Sequence, residues 1–178
     1  MAVFIAYYYI VNGFSAPGDF VRTSSNIASG EDLYRIGVGL RVVGSLTIVV
    51  LAWSFYALLR DIAPNVARLA MSLRMTEAGL GFVGTVFLYV ALDNYLSAGD
   101  ASAARPAIAG MISSFNEASF YVNFILLGFG SGIYFFLLFK ARFIPRLFAL
   151  YAMLAAIAHA ATATIHLVAP DVTAGWGM

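Results

Sequence analysis

The stretch VARLAMSLRMTEAGLGFVGTVFLYVALDNYL, residues 66–96, decides the fold because it is apolar and long enough to cross a lipid bilayer. As an α-helix it would extend about 46 Å, beyond the hydrocarbon core of about 30 Å. Arg74 and Glu77 lie two to three turns inside it. Ionisable side chains at that depth are costly unless they are paired or hydrated. We therefore expect the rest of the chain to form a helix bundle around this segment.

The composition supports a membrane protein throughout. The 178 residues are 62% hydrophobic and 11% charged, whereas soluble domains average about 45–50% apolar and 25% charged residues. The apolar segments are continuous and lack the alternation of barrel strands, so we predict an all-α, polytopic transmembrane helix bundle. The net charge of +1 suggests no nucleic-acid partner. The absence of cysteine excludes thiol catalysis, disulfides and cysteine-ligated metals.

The apolar segments predict about five spans in one transmembrane domain covering the whole chain, at residues 3–14, 33–59, 66–96, 107–139 and 147–168. The first segment is short for a span, and three interpretations stay open. It is a short first helix, a helix whose start lies upstream, or an atypical signal peptide, and we favour the first. Residues 15–32 contain Pro17, Gly18, Gly30 and several serine, threonine and asparagine residues, and predict an exposed loop.

Basic residues predict the orientation in the membrane. The turns after the second and fourth spans carry five of them: Arg60, Arg68, Lys140, Arg142 and Arg146. The opposite loops carry Arg22 and Arg105, with Arg35 at the edge. The richer turns should face the cytoplasm, which places the N-terminus inside and the C-terminus outside. If the first segment does not span, the N-terminus moves outside.

Several short motifs resemble those of a known family, and they follow one another in order along nearly the whole chain. They are PGD at 17–19, NIA at 26–28, EDLYRIG at 31–37, YALLR at 56–60, LRMTEA at 73–78, GFG at 128–130, FIPR at 143–146 and IHLVAP at 165–170. Together they resemble the bacterial multi-pass membrane proteins grouped as domain of unknown function 4386. The resemblance implies a helix bundle in the bacterial inner membrane, and it implies no settled activity.

The chain differs from that pattern at two points. Its first helix is shorter than the one that relatives carry. The resemblance also implies a histidine near the position where this chain has Asn116, just before Glu117. If that histidine is functional in relatives, its replacement implies a lost or altered function here.

Four charged residues lie away from the ends of the predicted spans, and their charges sum to zero: Arg41, Arg74, Glu77 and Glu117. We place Arg41 in the outer half of the membrane and the other three near its midplane. Arg74 and Glu77 are three residues apart and can pair locally on one helix face. Alternatively, Arg74 meets Glu117 across the bundle and Glu77 faces Arg41. Such a set is either a structural salt-bridge network or a polar site for a headgroup, an ion or a proton.

His159 and His166 are seven residues apart on the last span and share a helix face. Their separation of about 10.5 Å is too large for both to bind one metal ion directly. We predict no metal and no cofactor, and we favour hydrogen-bonded packing roles for both histidines. A site formed by Glu77, Glu117 and one histidine has no recognisable spacing.

Small residues predict close helix packing, since Gly128 and Gly132 form a small-xxx-small face on the fourth span. The first function hypothesis is a non-enzymatic accessory or interaction subunit, or a binder of a small apolar or lipid-like ligand. Its partners would be the bilayer and either other membrane subunits or further copies of this chain. The alternatives are a membrane enzyme acting on a lipid or isoprenoid, and a proton- or ion-coupled carrier.

Overall fold

The computed structural model of the protein describes residues 2–97 and 104–173, and in this part the chain is helical without any strand. Seven helices occur there: α1 (Ala2–Gly13), α2 (Phe20–Ser29), α3 (Glu31–Leu59), α4 (Pro64–Leu96), α5 (Ala104–Ala141), α6 (Arg146–Val168) and α7 (Pro170–Thr173). The prediction of an all-α helix bundle is confirmed.

Four of these helices, α3 to α6, are long and apolar enough to cross a membrane. Their ends agree with the predicted spans to within three residues. The agreement has a simple cause, because each apolar run is bounded by a short stretch of sequence that contains proline, glycine or charged residues. The protein is therefore a multi-pass membrane protein.

The predicted first span is a helix, but a short one. The 12 residues of α1 extend about 18 Å. Crossing the hydrocarbon core of about 30 Å takes roughly 20 residues. That α1 crosses the membrane stays a prediction.

The prediction of a loop over residues 15–32 is wrong, because α2 occupies its middle. The side chain of Asp19 caps this helix by accepting a hydrogen bond of 2.9 Å from the backbone N–H of Arg22. The hydroxyl groups of Thr23 and Ser24 donate to the carbonyl oxygens of Asp19 and Phe20, one turn earlier. These local bonds satisfy the polar side chains on the buried face of α2, and a serine- and threonine-rich sequence is thereby accommodated in a helix.

One compact unit consists of Met1–Leu46 and Gly81–Glu117. Its core is formed by buried side chains from α1, α2, α3 and α4: Val11, Ile27, Tyr34, Val38, Leu88 and Leu92. Gly37 lets α1 approach α3, since a Cβ at this glycine would lie 2.9 Å from side-chain carbons of both Ile10 and Val11. This unit holds the Arg41 site described below.

A second compact unit consists of Thr47–Leu80 and Ala118–Met178. Its core is formed by Leu59, Ala67, Ala70, Tyr134, Leu137 and Leu138. Inside it the hydroxyl of Tyr134 donates a hydrogen bond of 2.7 Å to the carbonyl of Ala52. A Cβ on Gly128 would lie 2.5 Å from the carbonyl oxygen of Ala156. The predicted close packing of α5 on α6 is confirmed at this glycine.

Candidate functional site

Arg74 and Glu77 form a closed ion pair within α4. The Nη1 atom of Arg74 lies 2.5 Å from Oε2 of Glu77, and their side chains are 11% and 5% exposed. The spacing of three residues places both on one helix face, so the pair forms without help from another element. Of the two arrangements that the sequence left open, the structure shows the local pair.

The neighbouring helix accommodates this pair through a glycine. A Cβ on Gly130 of α5 would lie 2.8 Å from Cδ of Arg74 and 2.9 Å from its Cγ. The missing side chain lets the arginine stem lie against the α5 backbone. The net charge of the pair is zero, which is the arrangement that a low-dielectric interior favours. The Arg74 stem thus packs directly between α4 and α5.

Arg41 on α3 lies in a different environment. Its side chain is buried, with 8% exposure. Nη1 donates to the hydroxyl of Tyr7 at 2.7 Å and to Oδ1 of Asn116 at 3.1 Å. The guanidinium carbon lies 5.2 Å from the centre of the Tyr7 ring, within cation–π range. These partners are neutral, so the cation keeps its charge uncompensated within the described part of the chain.

Asn116 is oriented for this contact by its own helix. Its Nδ2 donates to the carbonyl of Ile112 at 3.1 Å, which turns Oδ1 toward Arg41. Asn116, the residue just before Glu117, therefore contacts the buried arginine.

A serine and two glycines complete the surroundings of Arg41. Ser45 follows one turn later on α3, is 1% exposed, and its Oγ has no hydrogen-bond partner among the described residues. On α4, Gly81 faces Ser45, where a Cβ would lie 2.6 Å from Oγ. Gly84 faces Arg41, where a Cβ would overlap Nη2. Gly81 and Gly84, three residues apart on α4, thus contact the polar side chains of Ser45 and Arg41, which are four residues apart on α3.

Glu117 is exposed on the surface of α5, and it forms no ion pair within the described residues. Of the 38 residues of α5, 24 follow Glu117 and would extend about 36 Å. The helix thus has the length to cross with Glu117 at a membrane surface as well as at depth. Its predicted position near the midplane stays a prediction.

Both histidines contact aromatic side chains of α5. The ring of His159 stacks on Phe124 with centroids 5.6 Å apart, and its Nδ1 lies 2.8 Å from the carbonyl oxygen of Ala155. The ring of His166 stacks on Tyr121 at 4.0 Å. These contacts fit the packing roles favoured for both residues. Over the described ranges, no three or more histidine, aspartate or glutamate side chains are grouped closely enough to hold a metal ion.

Tyr7 and Ser45 were not among the candidate residues. Tyr7 lies in a run of three tyrosines on α1, and Ser45 is one serine among many. Helical spacing offers one usable signal, because Ser45 lies four residues after Arg41 and so shares its face. No spacing rule connects Tyr7 to α3.

Comparison with known proteins identifies the family alone. No curated protein and no solved structure matches this chain. The family model described as a domain of unknown function (DUF4386) matches residues 1–178, the full length of the sequence. The chain therefore belongs to the domain of unknown function 4386 family.

Proposed function

We propose that this protein is a non-enzymatic membrane component that binds a lipid-like ligand. The observation that carries the proposal is the buried guanidinium of Arg41, whose hydrogen-bond partners Tyr7 and Asn116 are both neutral. A buried cation without a counter-charge is costly. A bound amphiphile whose head carries negative charge would supply the missing charge, and its tail would remain in the surrounding lipid.

The two alternative functions, a membrane enzyme and a carrier, would use overlapping sets of ionisable residues in different roles. A lipid-modifying enzyme would use Glu77, Glu117 and His166 as acid, base or metal-binding groups, and a carrier would use Arg74, Glu77 and Glu117 as a relay. Glu77 is engaged by Arg74 at 2.5 Å, and the ring of His166 is stacked on Tyr121. Since both groups already have close contacts, we rank ligand binding above these alternatives.

Native mass spectrometry of the full chain, released gently from its own membrane, tests the proposal. We expect a defined amphiphile to be retained by the wild type and lost from Arg41→Gln. Arg35→Gln is the matched control, because Arg35 lies on the same helix in an exposed pair with Glu31. An empty wild-type chain would refute ligand binding and direct attention to proton-flux assays.

A second candidate is an interaction subunit, and Glu117 favours it. An exposed carboxylate on a transmembrane helix is costly at depth, and a partner helix with an arginine or lysine would neutralise it. We expect a partner chain, either another subunit or a second copy, to be lost from Glu117→Gln and retained by Glu31→Gln. Equal retention in both variants would contradict a role for Glu117.

We propose the bacterial inner membrane as the location, with the turns at Arg60 and Arg142 in the cytoplasm and the C-terminus outside. The chain has no cysteine, so single-cysteine variants can be labelled without background. Asp61→Cys should react with an impermeant maleimide in inverted vesicles, and Ser29→Cys in intact cells. Ala2→Cys decides whether α1 crosses: labelling in inverted vesicles places the N-terminus inside, and labelling in intact cells places it outside.

A further inference from the structure

The guanidinium of Arg41 has donors that the protein leaves unused. An arginine side chain carries five N–H groups, two of them on Nη1. Nη1 is engaged by Tyr7 and Asn116, whereas Nη2 and Nε have no hydrogen-bond partner in the part of the chain that the structure describes. The Nε–Nη2 edge is a fork that matches the two oxygens of a carboxylate or phosphate.

A second unused polar group lies one turn away. Ser45 is 1% exposed, and its hydroxyl has no partner. Buried hydroxyls are almost always hydrogen-bonded, and an exception calls for an explanation. Because Ser45 lies four residues after Arg41, both side chains leave the same face of α3. Both side chains pack directly against α4, Arg41 at Gly84 and Ser45 at Gly81.

The described carboxylates of the same unit form no ion pair with Arg41. Asp19 caps α2, and Glu31 pairs with Arg35 at 2.6 Å. Asp32, Asp93 and Glu117 are exposed. The charge and the unused donors therefore both indicate an acceptor that the described part of the chain does not supply.

We infer that Arg41 and Ser45 bind an oxyanion, namely the carboxylate or phosphate of an amphiphile; this deepens the proposed function and rests on it. The Nε–Nη2 edge of Arg41 donates two hydrogen bonds to the oxyanion, and the Ser45 hydroxyl donates a third. Tyr7 and Asn116 are positioning residues, since they hold Nη1 and turn the other edge of the guanidinium toward the ligand.

The test uses the full chain in phosphatidylcholine nanodiscs doped with phosphatidic acid or with oleate, and it measures retained anionic lipid by native mass spectrometry. We expect selective retention by the wild type and about a tenfold weaker affinity for Arg41→Lys, which keeps the charge and loses the fork. Ser45→Ala should weaken affinity about fivefold to tenfold, as expected for one hydrogen bond. Arg35→Gln and Ser54→Ala, both exposed positions on α3, should bind as the wild type does.

The melting temperature without anionic lipid distinguishes ligand binding by Ser45 from a structural role of this residue. In undoped nanodiscs Ser45→Ala should melt at the wild-type temperature or above it, because the substitution removes an unpaired buried hydroxyl. Weaker binding with unchanged or raised melting temperature supports the inference. Unchanged affinity in both Ser45→Ala and Arg41→Lys overturns it, and this outcome leaves the proposed function standing if the wild type still retains an amphiphile.

A second arm identifies the source of the oxyanion. Inorganic phosphate and acetate are titrated against the protein in undoped nanodiscs, with heat of binding as the readout. Binding that depends on Arg41 and Ser45, without selective lipid retention, supports the oxyanion site and refutes the lipid-like ligand. Absence of binding for all four probes overturns the inference.

Discussion

The Arg41 and Arg74 sites solve the same physical problem in two ways. Each arginine lies within an apolar helix and packs against a glycine of a neighbouring helix, Gly84 for Arg41 and Gly130 for Arg74. Arg74 has a carboxylate three residues away at 2.5 Å. In the part of the chain that the structure describes, Arg41 hydrogen-bonds to a phenol and an amide. The two sites therefore differ in counter-charge, while each is accommodated by a glycine.

This difference is the basis for proposing a structural role for the Arg74 pair and a binding role for Arg41. The Arg74 pair is neutral and is formed entirely within α4, so an external ion has little to gain there. The Arg41 site carries a net positive charge and keeps donors unused. A buried cation with neutral partners is stabilised further by any anion that reaches it, and it is the better candidate for a ligand site.

Breaking the Arg74–Glu77 ion pair should have the largest effect on the free energy of unfolding. Glu77→Ala leaves the Arg74 cation buried without a partner, and we expect a loss of about 3 kcal/mol in the free energy of unfolding. Glu77→Gln keeps an acceptor and turns the pair into a site of the Arg41 kind, so about half that loss is expected. Denaturation in mixed micelles measures both.

The double substitution Arg74→Met with Glu77→Leu is the control for this prediction. It removes both charges and should recover most of the lost stability, since a buried pair is often replaceable by apolar residues of similar size. If the double variant is as unstable as Glu77→Ala, packing at these positions, and not the unpaired charge, explains the loss.

Replacing the glycines that contact the two arginines should have an intermediate effect on the free energy of unfolding. Gly84→Ala places a methyl group where the Arg41 guanidinium lies, and the shift needed would break its bonds to Tyr7 and Asn116. We expect a loss of about 1–2 kcal/mol in the free energy of unfolding. Gly130→Ala displaces the stem of Arg74 and should cost a similar amount.

Gly79→Ala is the matched control on α4, because a Cβ there meets open space. It should stabilise the helix by about 0.5–1 kcal/mol, the usual gain for alanine over glycine. The cost of Gly84→Ala should also disappear when Arg41 is replaced by alanine. Persistence of the cost in that background would show that the methyl group clashes with something other than the guanidinium.

Local relationships were predictable from the sequence. The four long helices follow from continuous apolar runs separated by short polar or proline-containing sequences, and the Arg74–Glu77 pair follows from a spacing of three residues. The predicted loop over residues 15–32 is wrong because Pro17, Gly18, Gly30 and several serine residues suggested a loop. The capping residue Asp19 and the spacing from Thr23 to Ile27 were the available helix signals.

The surroundings of Arg41 were not predictable in the same way. Its partners are separated from it by 34 and 75 residues along the chain. Both are neutral, so charge balance gives no hint of them, and charge balance suggested Glu77 instead. Whether a neutral acceptor contacts a buried cation depends on tertiary packing, which a single sequence does not reveal.

Removing the uncompensated charge of Arg41 should have the smallest effect on the free energy of unfolding. Arg41→Met eliminates a buried cation and leaves only the neutral groups of Tyr7 and Asn116 behind, both of them half-buried. We expect the free energy of unfolding without anionic lipid to change by about 1 kcal/mol or less. Arg74→Met should cost about 3 kcal/mol, because it leaves the Glu77 carboxylate buried and unpaired. Equal costs for the two methionine variants would mean that Arg41 has a counter-charge after all, and the contrast between the two sites would then be lost.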